Sequence, residues 1–127
     1  MKKEVSAHNA PSAVGPYSAA VTAQGTETVY VSGQLPIDPA TGLFPSDDIR
    51  EQTRQSITNI RNILQAAGMD LDDVVKSTVF LADISDFGAM NEIYGEFFKM
   101  PYPARCAFQV AALPKNARVE IEVTAVR

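Results

Sequence analysis

The sequence predicts an α+β fold, a single domain over residues 1–127 in which a mixed β-sheet carries two helices on one face. A length of 127 residues is common for one domain, and no repeat or linker divides the chain. Segments rich in β-branched residues alternate with two segments of helical periodicity, in the approximate order β-β-α-β-α-β-β. Since two helices cover only one face of such a sheet, the other face must meet water or another subunit.

The first clear strand is 28–34, which is rich in β-branched and aromatic residues. It follows a turn-forming stretch at 11–16, where two prolines and a glycine forbid a helix. It leads into a tight turn at 35–42, which again contains two prolines and a glycine.

The first helix is the most strongly patterned element. It should begin near 46–48, where serine and aspartate oxygens can cap free N–H groups. Gly68 should end it, because glycine tolerates positive φ. Its predicted buried stripe recurs at three- and four-residue spacing and consists of Ile49, Thr53, Ile57, Ile60, Leu64 and Ala67.

A second helix is predicted at 86–99, where the prolines that follow end it. Its inward face consists of Phe87, Met90, Tyr94, Phe97 and Phe98. The remaining predicted strands are 74–82, 105–113 and 118–126, the last two joined by a turn at 114–116.

Side-chain alternation assigns faces to the last two strands. In the last strand an apolar set, Val119, Ile121, Val123 and Ala125, lies opposite a polar set, Glu120, Glu122 and Thr124. In the strand before it, Phe108 and Val110 share one face, and Arg105, Ala107 and Gln109 share the other. If each apolar set packs on the helices, Arg105 and Glu120 both emerge on the uncovered face.

Composition disfavours several classes of function. The net charge is −4 without a cluster of Lys and Arg, so we expect no nucleic-acid partner. One cysteine cannot form an internal disulfide, and one cysteine with one histidine cannot form a nitrogen/sulfur metal centre. Asp70, Asp72 and Asp73 resemble a loop and helix end more than a metal site. No apolar run approaches the ~18 residues of a membrane span, and the N-terminus lacks the apolar stretch of a signal peptide. We therefore expect a cytoplasmic protein with no membrane partner.

Arg105 is the main candidate for chemistry. It follows two prolines and opens a strand, so its backbone should be well fixed. A guanidinium held in this way offers a planar fork suited to a carboxylate. The alternative is a plain surface ion pair with Glu120 or Glu122 of the neighbouring strand.

Five other positions have two interpretations each. Glu120 either orients a water or is an ordinary charge on a half-exposed strand. Tyr17, in a rigid Gly-Pro turn, either packs in the core or contacts a substrate. Asn91 either caps buried groups or binds a ligand, and Ser32 either presents its hydroxyl or ends a strand. Cys106 has no nearby base, so a buried, inert thiol is expected rather than a nucleophile.

Several ordered motifs resemble one known family. They are Gly15-Pro16-Tyr17-Ser18, Val31-Ser32-Gly33-Gln34-Leu35-Pro36 with Asp38-Pro39 and Thr41-Gly42, Asp73-Val74-Val75-Lys76 with Thr78-Val79-Phe80, Met90-Asn91 with Tyr94 and Phe97-Phe98, Pro103-Ala104-Arg105, and Leu113-Pro114 with Val119-Glu120-Ile121-Glu122. Together they resemble the Rid (YjgF) family, specifically its RidA-type 2-iminobutanoate/2-iminopropanoate deaminases, over nearly the whole chain.

The resemblance implies a chorismate-mutase-like fold assembled as a homotrimer with sites at the subunit interfaces, which would bury the uncovered face. It implies cofactor-independent hydrolysis of small carboxylate-bearing enamines and imines, of the 2-aminoacrylate type, to 2-keto acids and ammonia. The alternative is a non-catalytic metabolite-binding regulator or a chaperone-like protein on the same scaffold.

The resemblance also implies roles for individual residues. Arg105 would bind the substrate carboxylate, Glu120 would position or deprotonate the attacking water, and Tyr17 would contact the substrate or water from the adjacent subunit. Ser32 and Asn91 would line the pocket. The family usually has serine at Cys106 and often cysteine or threonine at Ala107, so these two positions depart from its pattern within the substrate-binding set.

Overall fold

The elements follow the order β1-β2-β3-α1-β4-α2-β5-β6 in a computed structural model that describes residues 1–127. The strands are β1 (Lys2–Val5), β2 (Ala20–Ala23), β3 (Thr28–Gln34), β4 (Val74–Leu81), β5 (Ala104–Gln109) and β6 (Val119–Val126), and the helices are α1 (Ile49–Ala66) and α2 (Phe87–Phe97). The predicted α+β class is confirmed.

The main sheet has four strands in the order β3-β6-β4-β5. It is mixed, as predicted, because β4 and β5 run parallel while the other neighbours are antiparallel. Strands β1 and β2 form a separate antiparallel pair, so three strands precede α1 where two were predicted. Both are only four residues long and largely exposed, so they carry little of the apolar alternation that marks a strand.

Helix α1 begins and ends as predicted. The Asp48 side chain accepts a hydrogen bond from the Arg50 backbone N–H at 2.7 Å, and Gly68 adopts a φ of 79° just beyond the helix. Five residues of the predicted stripe are buried, namely Ile49, Thr53, Ile57, Ile60 and Leu64. Ala67, at the C-terminal end, is only partly buried.

The core lies between the two helices and one face of the main sheet. It contains Met90 and Tyr94 of α2, the predicted apolar set of β6, and four residues of the α1 stripe, namely Ile49, Ile57, Ile60 and Leu64. Strand β5 ends at Gln109 rather than 113, because its partner β4 ends at Leu81. The opposite face of the sheet, which we call the open face, is uncovered in the single chain and carries Tyr30, Phe80 and Phe108.

Candidate functional site

The Arg105 side chain lies on the helix-covered side of the sheet, where it faces α2. Arg105 of β5 is in register with Ser77 of β4, which is buried. The prediction that Arg105 emerges on the uncovered face is therefore wrong. It assumed that apolar residues mark the covered face, but Phe108 instead packs edge-to-face against Phe80 on the open face, with ring centroids 5.6 Å apart.

Three aromatic rings and one amide surround the Arg105 guanidinium. Its Cζ lies 4.8 Å from the ring centroid of Tyr94, 5.3 Å from that of Tyr17 and 5.6 Å from that of Phe87. All three distances fall within the range of cation–π attraction. In addition, Nη1 donates a hydrogen bond to Oδ1 of Asn91 at 2.8 Å. Asn91 therefore orients the arginine. In turn, the amide oxygen of Asn91 has a hydrogen-bond partner within the site.

Arg105 has no carboxylate partner. The five ion pairs of the chain involve Arg50, Arg54, Arg118 and Arg127. The surface ion pair with Glu120 or Glu122 is therefore not formed. Burial lowers the pKa of the Arg105 guanidinium, while the hydroxyls of Tyr94 and Tyr17 act in the opposite direction. An arginine side chain in a protein stays protonated, so the site holds a half-buried cation that an anionic ligand could neutralise.

A pocket of about 220 Å³ opens beside the guanidinium, lined by Tyr17, Phe87, Arg105 and Ala107. The Tyr17 turn is tied to the start of β5, since Ser18 Oγ donates to the Tyr102 carbonyl at 2.5 Å and Ser18 N donates to the Pro103 carbonyl at 3.0 Å. Tyr17 therefore lines the same pocket as Arg105 of its own chain. The expected contact of Tyr17 with substrate or water from an adjacent subunit stays a prediction.

Glu120 lies on the open face, as its alternation in β6 predicted. Its carboxylate lies against Gly33 of β3, so closely that a Cβ at position 33 would overlap it. It makes no ion pair in the chain. Ser32, next to Gly33, is exposed.

Cys106 is also exposed, so the expectation of a buried thiol is wrong. Alternation along β5 places Cys106 on the face opposite to Arg105 and Ala107. The open face has no helix above it in the single chain, which leaves the thiol accessible there.

The predicted site residues thus divide into two groups on opposite faces of the sheet. The helix-side group is Tyr17, Asn91, Arg105 and Ala107. The open-face group is Ser32, Cys106 and Glu120. Because β4 also separates β5 from β6, a single chain does not bring Arg105 and Glu120 together.

Sequence reasoning did not assign Phe87, Tyr94 or Ser77 to the site, although all three help to build the surroundings of Arg105. A signal was present in α2. Phe87 precedes Asn91 by four residues and Tyr94 follows it by three, which places all three on one face of a helix. No comparable signal marked Ser77, because its importance depends on the pairing of β4 with β5.

A larger cavity lies elsewhere, at the end of β3 and beside α1. It has a volume of about 440 Å³ and is lined by Gly33, Gln34, Leu35, Ile37, Pro39, Asn59, Asn62 and Ile63. The Asn59 amide donates to the carbonyls of Leu35 and Ile37, so it braces the loop that follows β3. The cavity adjoins the open-face group through Gly33.

The acidic residues that follow α1 have a structural role. Asp70 and Asp73 cap a short 3₁₀ turn reciprocally: Asp70 Oδ1 accepts from Leu71 N at 2.7 Å, and Asp73 Oδ2 accepts from Asp70 N at 3.0 Å. These contacts match the helix-end role expected for the acidic residues.

Neither helix is long and apolar enough to cross a bilayer.

Comparison with known proteins gives matches over the whole chain. Residues 7–127 match the family described as Endoribonuclease L-PSP. The chain is 50% identical over 127 residues to the 2-iminobutanoate/2-iminopropanoate deaminase of Bos taurus, covering 100% of this chain and 91% of the relative.

Among solved structures, RidA from Psychrobacter sp. PAMC 21119 is 46% identical, with a TM-score of 0.76 and coverage of 98% of this chain and 99% of that one. E. coli TdcF with bound serine is 42% identical, with a TM-score of 0.75 and coverage of 98% of each chain. The Rid resemblance of the sequence is thereby confirmed, and the chain belongs to the Endoribonuclease L-PSP family.

Proposed function

We propose that this protein hydrolyses small carboxylate-bearing enamines and imines, of the 2-aminoacrylate type, to 2-keto acids and ammonia. The observation that carries the proposal is the Arg105 guanidinium, which is half-buried, held by aromatic rings and free of any carboxylate. The name of the Bos taurus relative, 2-iminobutanoate/2-iminopropanoate deaminase, supports the reaction class.

The geometry of Arg105 suits a carboxylate ligand. Asn91 takes a hydrogen bond from Nη1 only, so the edge formed by Nε and Nη2 remains free to donate. Two parallel N–H donors on this edge match the two oxygens of a carboxylate. TdcF, a structural relative, was solved with bound serine, an amino acid that carries a carboxylate.

The chemistry needs placement of a water molecule rather than a strong nucleophile. An enamine first becomes its imine tautomer, as a proton moves from nitrogen to the terminal carbon. Water then adds to the electrophilic imine carbon and gives a carbinolamine. The C–N bond then breaks, the nitrogen leaves as ammonia with a transferred proton, and the carbon becomes the ketone of the 2-keto acid. Arg105 can orient the substrate, and a carboxylate can place the water and transfer protons, so no cofactor is required. We assign the carboxylate role to Glu120.

Glu120 can reach this pocket only from another copy of the chain, since its own Arg105 lies on the opposite face of the sheet. We therefore propose that the open face of one subunit meets the helix-side pocket of the next, in a homotrimer with sites at its interfaces. A contact between two different patches is heterologous, and such contacts close into rings when the rotation allows it. The exposed aromatic side chains Tyr30 and Phe108 on the open face suit burial in this contact.

The pocket and the charge of the chain favour a small metabolite over RNA, despite the family's description. The net charge is −4, and an acidic protein without a basic stripe repels a polyanion. A parallel incubation with RNA is therefore expected to leave the RNA intact. We also propose that the protein works in the cytoplasm, where amino-acid metabolism generates reactive imines.

The test couples the purified protein to a threonine or serine dehydratase and follows the release of 2-keto acid. We expect release faster than spontaneous hydrolysis. Arg105→Ala should lower kcat/KM by about 100- to 10,000-fold, because a bidentate pair contains two charge-assisted hydrogen bonds. Arg105→Lys should retain an intermediate activity, since it keeps the charge and loses the fork.

A rate equal to spontaneous hydrolysis would overturn the proposal. Binding of a 2-keto acid without any rate enhancement would instead identify a metabolite-sensing protein on the same scaffold.

A further inference from the structure

Tyr94 is a fully buried tyrosine that the reaction described above does not use. Its ring stacks on Phe98, with centroids 4.3 Å apart and an interplanar angle of 24°. The same ring lies 4.8 Å from Cζ of Arg105, the shortest of the three ring distances around the guanidinium. Since Phe98 covers one face of the ring, the guanidinium occupies the other.

The Tyr94 hydroxyl has one partner, Ser77. The distance between Tyr94 Oη and Ser77 Oγ is 2.7 Å, and both side chains are buried. Ser77 lies on β4 directly beside Arg105 of β5. The hydrogen bond therefore anchors the ring to the strand that neighbours the arginine. Burial raises the pKa of Tyr94 to about 12, so its hydroxyl remains protonated in any assay near neutral pH.

We propose that Ser77 and Tyr94 form a positioning pair that holds the Arg105 guanidinium in the orientation that receives the substrate carboxylate, a role that rests on the proposed function. Asn91 restrains one nitrogen of the guanidinium, and the Tyr94 ring packs against the group from one side. Nε and Nη2 have no hydrogen-bond partner in the chain, so this edge stays free for the carboxylate. Tyr94 does not line the pocket, so it acts through Arg105 rather than by touching the substrate.

The test uses Tyr94→Phe, Ser77→Ala and the double variant, measured in the coupled assay and by calorimetric titration with a 2-keto acid. Each change removes one oxygen atom from the core, so folding should persist. We expect KM and the Kd of the keto acid to rise together by about 3- to 10-fold, the equivalent of one hydrogen bond, with a smaller change in kcat. The double variant should be no worse than either single variant, because the two residues act as one unit.

Ser56→Ala provides a matched control. Ser56 also has a buried hydroxyl, but it lies on α1 and its Oγ has no hydrogen-bond partner. This variant should keep the KM of the parent protein. If Tyr94→Phe and Ser77→Ala lower the melting temperature but keep the parental KM and Kd, the pair is only structural and the inference is overturned. A parent protein that neither binds the keto acid nor accelerates hydrolysis would instead overturn the proposed function itself.

Discussion

At Arg105 the positive charge is stabilised by rings and an amide rather than by an acid. Cation–π contacts with three aromatic side chains and the hydrogen bond to Asn91 offset part of the desolvation of the guanidinium. A carboxylate in the same place would neutralise the cation and compete with an anionic ligand. The surroundings of this residue therefore hold its geometry and leave its charge available.

At Gly33 the absence of a side chain decides where the Glu120 carboxylate can lie. Gly33→Ala would place a methyl group in the space of that carboxylate, which would have to move. Because the obstacle is the end of a flexible side chain, we expect only a small change in melting temperature. If Glu120 positions or deprotonates the attacking water, kcat should fall by about tenfold or more, in line with the contribution of a positioned acid–base group.

Gly88 supplies the control for this substitution. A Cβ at Gly88 meets nothing within 4 Å, and the residue lies in α2. Gly88→Ala should leave kcat unchanged and stabilise the helix by about 0.5 kcal/mol. Equal kcat values for Gly33→Ala and the parent protein would argue against a catalytic place for Glu120.

At the scale of elements, the contact between α2 and β4 should make the free energy of unfolding depend on pH in the alkaline range. The pKa of Tyr94 is raised by burial to about 12, against an ordinary value of 10. The unfolded chain therefore loses this proton at a lower pH than the folded chain does. Below pH 10 the protonated Tyr94 hydroxyl therefore adds about 2 kcal/mol to the free energy of unfolding, and this contribution is lost as the pH rises toward 12.

Denaturant titrations of the parent protein and Tyr94→Phe at pH 9, 10, 11 and 12 measure this difference. The free energy of unfolding of the parent should fall more steeply than that of the variant between pH 10 and pH 12. Parallel pH profiles would mean that the Tyr94 hydroxyl is not protected from titration in the folded chain.

Elements with strong local patterns were predictable from the sequence. The first predicted strand coincides with β3, and α1 follows from its cap, its apolar stripe and Gly68. The face of β5 was not predictable in the same way. Its apolar residue Phe108 points away from the core, because the open face of the sheet is itself partly aromatic. Alternation reports which residues share a face, but it does not say which face a neighbouring element covers.

The candidate site shows the same limit. Arg105, Tyr17, Asn91 and Ala107 could be named from their motifs, and the structure places them together. The link between Ser77 and Tyr94 depends on strand pairing and on helix position at once. Such long-range contacts leave no pattern in a single sequence.

At the scale of the whole molecule, the open face carries the aromatic side chains that assembly would bury. Phe108 is 44% exposed in the single chain, beside Cys106 on β5. Phe108→Lys would place a charge in the proposed contact, where its desolvation disfavours association. Light scattering after size-exclusion chromatography should show a smaller species, and deaminase activity should fall with it.

Glu96→Ala serves as the comparison for assembly. Glu96 lies on the exposed side of α2 and pairs with Arg54 of α1 at 2.8 Å, away from the open face. This variant should keep the parental size and activity. A Phe108→Lys protein of unchanged mass would show that the open face is not the contact surface.

In the proposed homotrimer, Arg105 of one chain works with Glu120 of another. Arg105→Ala and Glu120→Gln proteins, each inactive alone, can be unfolded, mixed in equal amounts and refolded together. Because an interface between the two variants can combine an intact Arg105 with an intact Glu120, random mixing should restore about a quarter of the parental activity. A mixture as inactive as its two components, with parental protein recovering fully through the same cycle, would show that Arg105 and Glu120 of different chains do not form one site.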